Sequence, residues 1–178
     1  MKMKKLPKKW SKIDDLLLIP ADHKINTDSL EELAIEYGVK RIARQWPILP
    51  DQIRSPGVQL IYGDNTELIQ RENGISYSYD LTKSMFSRGN ISEKIRFSKF
   101  NVHNEIIVDC FAGIGYWVLQ LSKSKPPLKV YCIDLNPNQL ISLERNIKLN
   151  KRDQSRFELI EGDCTKVNIP AVVCNLNM

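Results

Sequence analysis

The stretch VDCFAGIGYW (108–117) sets two glycines, Gly113 and Gly115, just after an apolar run that ends at Asp109. Glycines in such a turn let the backbone approach a ligand, and the start of the following helix favours a polar or anionic group. A second run, CIDLNP (132–137), ends its strand pattern at Asp134, where a carboxylate can accept two hydrogen bonds from a ribose diol. A third, EGDC (161–164), brings Asp163 and Cys164 to the same carboxyl-end rim, where an adenine edge would lie. These residue types suit a nucleoside. A dinucleotide fingerprint also needs a third small residue, and Val118 stands there. Asp109, at the tip of its strand, suits a cationic amine or sulfonium better than a pyrophosphate.

The elements that must hold these residues follow from apolar periodicity. EIIVDCF (105–111) and KVYCIDL (129–135) are continuous runs of the kind that form strands covered on both faces. RFELIEGD (156–163) and AVVCNL (171–176) are expected to be the third and fourth strands. Helices are expected over 116–122 and 136–150, the second with Asn136 as N-cap, Pro137 at its first position and Leu140, Leu143 and Ile147 as its apolar stripe. Strand–helix alternation with short connections means a parallel α/β sheet, a Rossmann-like domain. That sheet stops early for its kind, so the domain is expected to be incomplete at its C-terminal side.

The first part of the chain has a different rhythm. DDLLLIP (14–20) predicts a short strand, and DSLEELAIEYG (28–38) a helix capped by Asp28 with Glu31 as box partner and Gly38 as its end. Residues 58–80 predict a β-meander, with Asn73-Gly74 as a type I′ turn. The expected organisation is a basic tail (1–12), a small α+β unit (13–79) that positions RNA, and the Rossmann-like domain (80–178), whose first 20 residues form a connecting motif. Lys40, Arg41 and Arg44, followed by Trp46, could meet phosphates and stack on a splayed base. Solvated or core roles for the same residues remain open from spacing alone.

Composition narrows the class. The 178 residues are 42% hydrophobic and 26% charged, without an apolar run of membrane-spanning length or a secretory leader pattern. Lys2, Lys4, Lys5, Lys8, Lys9 and Lys12 outweigh the net charge of +5, so residues 13–178 sum to about −1 and the basic signal is a tail. Cys110, Cys132, Cys164 and Cys174 form no C-x-x-C pair and the two histidines lack ligand spacing, which argues against structural zinc. Cys110 and Cys132 are expected to be core thiols, in a reducing compartment.

The set D-x-F-A-G-x-G, D-L-N-P and G-D resembles a class I S-adenosylmethionine site. DLTKSMFSRGNISEK (80–94) directly ahead of it, with GVKRIARQ, RSPGVQLIYGDNTELI and ENGISYSYD before that, resembles the tRNA wybutosine-synthesizing protein 2 family, relatives of the tRNA guanine-N1 methyltransferases. The resemblance covers residues 13–176. It implies a cytoplasmic enzyme that moves the 3-amino-3-carboxypropyl group of S-adenosylmethionine to 4-demethylwyosine, next to the anticodon of phenylalanine tRNA, with neither metal nor membrane. It further implies cofactor contacts at Ser87, Lys94, Asp134, Asp163 and Cys164. Many relatives carry Glu-Trp-Asn-Pro where this chain has Asp-Leu-Asn-Pro, a sequence shared with the methyltransferase cousins. Methyl transfer at the same tRNA position, or a catalytically incomplete binding fragment, are the alternatives. Both transfers proceed by positioning a carbon in line with its acceptor, so no catalytic residue is expected by type.

Overall fold

The computed structural model describes residues 9–25, 27–86 and 89–169. The expected fourth strand, Cys174, Ser87 and most of the basic tail lie outside them.

The chain opens with strands β1 (Ser11–Ile13) and β2 (Leu16–Pro20), then helix α1 (Leu30–Tyr37), β3 (Arg41–Gln45) and β4 (Val58–Tyr62). They form one sheet in the order β1-β2-β3-β4, with β2 and β3 parallel across α1 and the outer pairs antiparallel. Period two explains why β2 is apolar throughout. Leu17 and Ile19 pack under α1 with Leu30, Leu33 and Ile42, while Leu16 and Leu18 face the opposite core. The helix starts one residue later than expected, after a 3-10 turn over Thr27–Ser29. Ser29, not Asp28, stands at the N-cap, without a side-chain capping bond, and Gly38 ends the helix in the left-handed region.

The predicted meander divides. β4 joins the first sheet, whereas β5 (Glu67–Glu72) and β6 (Ile75–Asp80) form a separate two-stranded hairpin. The break has a physical cause. Arg41 reaches across to the carbonyls of Asn65 (3.1 Å) and Glu67 (2.6 Å), so the chain after β4 is tied to a side chain rather than to a neighbouring strand. At the hairpin tip Asn73 and Gly74 take φ of 48° and 76°, as the type I′ turn requires.

Helix α2 (Ile91–Phe97) leads to the second sheet, in which β7 (Ile106–Asp109), β8 (Lys129–Asp134) and β9 (Phe157–Glu161) are parallel neighbours. Helix α3 (Val118–Leu121) follows β7, shorter than expected, and α4 (Pro137–Leu149) follows β8. Asn136 caps α4 by accepting the Asn138 N–H at 3.0 Å, and Leu140, Leu143 and Ile147 are buried as the stripe predicted. One apolar core runs from Leu16 and Ala43 through Tyr77 and Phe97 to Val130 and Leu143, uninterrupted at the expected boundary near residue 80. Cys132 is buried as expected. Cys110 is exposed, because β7 ends at Asp109 and leaves it in the turn.

Candidate functional site

Register brings the site together. Asp109 pairs with Cys132 and Asp134 with Glu161 in adjacent parallel ladders, so Asp109, Asp134 and the loop carrying Asp163 leave the sheet at one end. The turn after β7 crosses that end. Gly113 and Gly115 have φ of 54° and 99°, in the region that favours glycine. A Cβ on Gly115 would come within 2.7 Å of Leu143 Cδ1 and 2.8 Å of Leu119 Cδ1, so this glycine lets the turn press against α4 and α3. A Cβ on Gly113 would meet the Tyr116 ring at 2.9 Å.

Asp134 locks this turn. Its Oδ2 accepts the Gly113 N–H at 2.8 Å, and its Oδ1 accepts the Asn136 N–H at 2.9 Å. The carboxylate thereby joins the glycine turn to the start of α4 and retains lone pairs for a ligand. Asp109 is less satisfied. Its Oδ1 accepts the Phe111 N–H at 3.2 Å, whereas its Oδ2 is buried and has no hydrogen-bond partner among the described residues. Burial pushes its carboxyl up to about 6, the Phe111 bond pulls it down, and the charge of Asp134 raises it further. An orphaned buried carboxylate oxygen at a strand tip is suited to a cationic ligand group.

Asp163 is engaged by its own loop, where the Thr165 hydroxyl (2.7 Å) and amide (3.0 Å) hold its carboxyl below the usual range. Cys164 is a half-buried free thiol that lies against Cys110, whose own thiol burial and that neighbour push up. Lys94 stands in α2 with 1% side-chain exposure, its ammonium 2.5 Å from Glu72 Oε2. The rings of Tyr116, Phe86 and Tyr77 surround it at 5.1, 5.2 and 5.8 Å. Tyr116 in turn donates its hydroxyl proton to the Met85 carbonyl, closing the connecting segment over the glycine turn.

The three basic residues expected on RNA separate. Lys40 is exposed. Arg44 is half-buried, with Nε buried and unpaired among the described residues. Arg41 is the correction: it is buried and its guanidinium is taken up by Asp15, Asn65 and Glu67, so its job is to hold the first sheet to the hairpin. Trp46 is 40% exposed and begins a loop that the strand and helix patterns left unassigned. That loop (46–57) and the connecting segment enclose a cavity of about 430 Å³, lined by Trp46, Arg54, Tyr79, Ser84, Met85 and Phe86. The loop itself touches the rim, where Asn136 Nδ2 donates to the Ile53 carbonyl at 3.3 Å. Glu72, Tyr116 and Asn146 were not singled out from sequence. An Asn at i and i+4 on the buried side of α4 (Asn146, Asn150) was the available signal for the last. No group of three or more potential metal ligands occurs among the described residues.

A parallel sheet with a glycine turn, a carboxylate on the second strand that holds this turn and, among the described residues, an orphaned carboxylate oxygen on the first fits a Rossmann-like class I S-adenosylmethionine-type transferase fold. The TRM5/TYW2 methyltransferase domain model matches residues 68–176. The chain belongs to that family.

Among curated relatives, tRNA wybutosine-synthesizing protein 2/3/4 of Arabidopsis thaliana is 39% identical over 89% of this chain and 16% of its own length. The tRNA(Phe) (4-demethylwyosine(37)-C(7)) aminocarboxypropyltransferase of Methanocaldococcus jannaschii is 36% identical over 80% of this chain and 57% of its own. The chain therefore spans well under two thirds of either protein. Among solved structures, P. horikoshii TYW2 in complex with MeSAdo superposes with a TM-score of 0.69 at 32% identity, covering 92% of this chain and 58% of that one. The complex of aTrm5 and tRNALeu gives 0.73 at 25%, covering 92% and 50%.

Proposed function

We propose that this chain binds S-adenosylmethionine and directs its 3-amino-3-carboxypropyl group to a modified guanosine beside the anticodon of phenylalanine tRNA, in the cytoplasm. The observation that carries the cofactor is the buried Oδ2 of Asp109, unpartnered among the described residues, beside the Asp134-locked glycine turn. When bound, the cofactor supplies a sulfonium with three displaceable carbons. Asp134 accepts from the ribose hydroxyls, and Asp109 faces the cationic end. Asp163 and Cys164 border the adenine, Lys94 provides positive charge near the amino-acid end, and Ser87 is a further contact. The cavity between loop 46–57 and the connecting segment suits the acceptor base, with Trp46 and Arg54 as stacking and hydrogen-bonding groups. Lys40 and Arg44 are left for the phosphate backbone.

Identity across the solved structures leans toward aminocarboxypropyl over methyl transfer: 31% and 32% to the two TYW2 complexes against 25% to 29% for the Trm5 structures. The test uses phenylalanine tRNA bearing 4-demethylwyosine and cofactor labelled either on the methyl or on the carboxyl carbon. Carboxyl label in the tRNA is expected. Methyl label would overturn the reading in favour of the methyltransferase.

A further inference from the structure

We propose that Glu72, in the hairpin ahead of the cofactor domain, is a positioning residue that holds the Lys94 ammonium in place for the amino-acid end of the cofactor, a role that rests on the function proposed above.

An ammonium with 1% exposure is costly to hold unless a carboxylate accompanies it, and an apolar side chain of similar size would usually serve stability as well. The charge pair therefore calls for a reason beyond packing. Its surroundings supply one. The Lys94 ammonium lies 5.1 Å from the Tyr116 ring, and that ring is the group a Gly113 side chain would strike. Lys94 thus stands one side chain behind the turn, on a different element from the ribose-type carboxylate Asp134.

Glu72 is held by a network of its own. Gln120 in α3 donates through Nε2 to the Glu72 carbonyl (3.2 Å) and to the Tyr77 hydroxyl (3.1 Å), and it accepts from Asn73 Nδ2 at 2.8 Å. The backbone at residue 72 is fixed before any ligand arrives. The phenol of Tyr77 is pushed up to about 12 by burial, so it contributes no competing charge. The result is a fixed ion pair between α2 and the hairpin, with the Tyr116 ring of the glycine turn beside it. Without the carboxylate, the ammonium loses the contact that fixes its position, and the directed attraction for a ligand carboxylate is lost.

The test measures binding of three ligands to the wild type and to Glu72→Gln. S-adenosylmethionine has both sulfonium and amino-acid chain, S-adenosylhomocysteine has the chain without the cation, and 5′-methylthioadenosine has neither. Glu72→Gln is expected to weaken the first two by about tenfold or more, the scale of one charge-assisted contact, and to leave 5′-methylthioadenosine within about twofold. Glu72→Asp should recover most of the loss. If Glu72→Gln does not fold, the Glu72→Gln, Lys94→Gln double variant removes both charges and should give the same ligand pattern. Equal weakening of all three ligands would mean a structural role and overturn the proposal. So would unchanged or tighter binding, or weakening of S-adenosylmethionine alone. A wild type that binds none of the three would overturn the cofactor reading itself, and this proposal with it.

Discussion

The Gly113 amide donates to Asp134 Oδ2 at 2.8 Å, so the glycine turn and the carboxylate at the end of β8 are one hydrogen-bonded unit rather than two independent motifs. The same carboxylate receives the Asn136 amide at the start of α4. Asp134→Ala should therefore act twice. Affinity for S-adenosylmethionine is expected to fall by about 1–3 kcal/mol, the worth of a hydrogen bond to a charged group. The melting temperature should fall as well, because two backbone donors lose their acceptor. Titration calorimetry and thermal melting separate the two effects, and unchanged affinity would remove Asp134 from the site.

Asp109 makes stability and ligand binding depend on pH in opposite directions. Its carboxyl rises from 3.8 to about 6 in the fold. The native state therefore binds the proton more tightly than the unfolded chain. That contribution is fully present below 3.8 and is lost as the pH rises through about 6. Asp109→Asn should be more stable than the wild type at pH 7, by about 1–3 kcal/mol, and the gap should close toward pH 4. Cofactor affinity should run the other way in the wild type, strengthening as the pH rises through about 6 and the carboxylate forms to meet a cation. Thermal melts and binding isotherms across that range check both, and parallel behaviour of the two proteins would exclude Asp109.

Asn146 joins three parts of the molecule. Fully buried in α4, it accepts the Ser78 N–H at 2.6 Å and donates to the Ile114 carbonyl at 3.0 Å, linking the hairpin edge to the glycine turn. One turn later Asn150 bonds both the N–H (2.8 Å) and the carbonyl (2.7 Å) of Ser76. The pair satisfies the edge of β6 as a neighbouring strand would. Asn146→Ala leaves a buried donor and acceptor unpaired, at about 1–3 kcal/mol for each. Denaturant unfolding should show the loss in the midpoint. The double variant with Asn150→Ala should cost less than the sum, since both residues hold one edge.

Periodicity made the cofactor half of the molecule legible. β7, β8, β9 and α4 sit where continuous apolar runs and an Asn-Pro start put them, because both signals are local. The features that sequence did not reveal are long-range. Arg41 looked like a cation for phosphate until its partners, Asp15, Asn65 and Glu67, came together from two other strand connections. The split of the predicted meander has the same origin, since nothing in residues 58–80 announces that a side chain from β3 will take the carbonyls at 65 and 67. Glu72 likewise finds its partner, Lys94, 22 residues further along the chain. Pattern identifies elements, whereas a polar side chain's role is decided by which elements meet around it.

The contrast between neighbours Lys40 and Arg41 gives a test of the proposed RNA contacts. Arg41 is 7% exposed and holds a carboxylate and two carbonyls, so Arg41→Ala should destabilise the protein by about 1–3 kcal/mol or more through unpaired groups. Any loss of tRNA binding in that variant would follow its loss of fold. Lys40 is exposed, and Lys40→Ala should leave the melting midpoint within about 0.5 kcal/mol of the wild type. If Lys40 meets a phosphate, the same variant should bind tRNA more weakly, and the slope of log affinity against log salt should shrink by about 1. Filter binding across a salt series reads that slope directly. A Lys40→Ala variant with wild-type slope and wild-type affinity would remove Lys40 from the proposed RNA contacts and leave Arg44 and Trp46 as the residues to test.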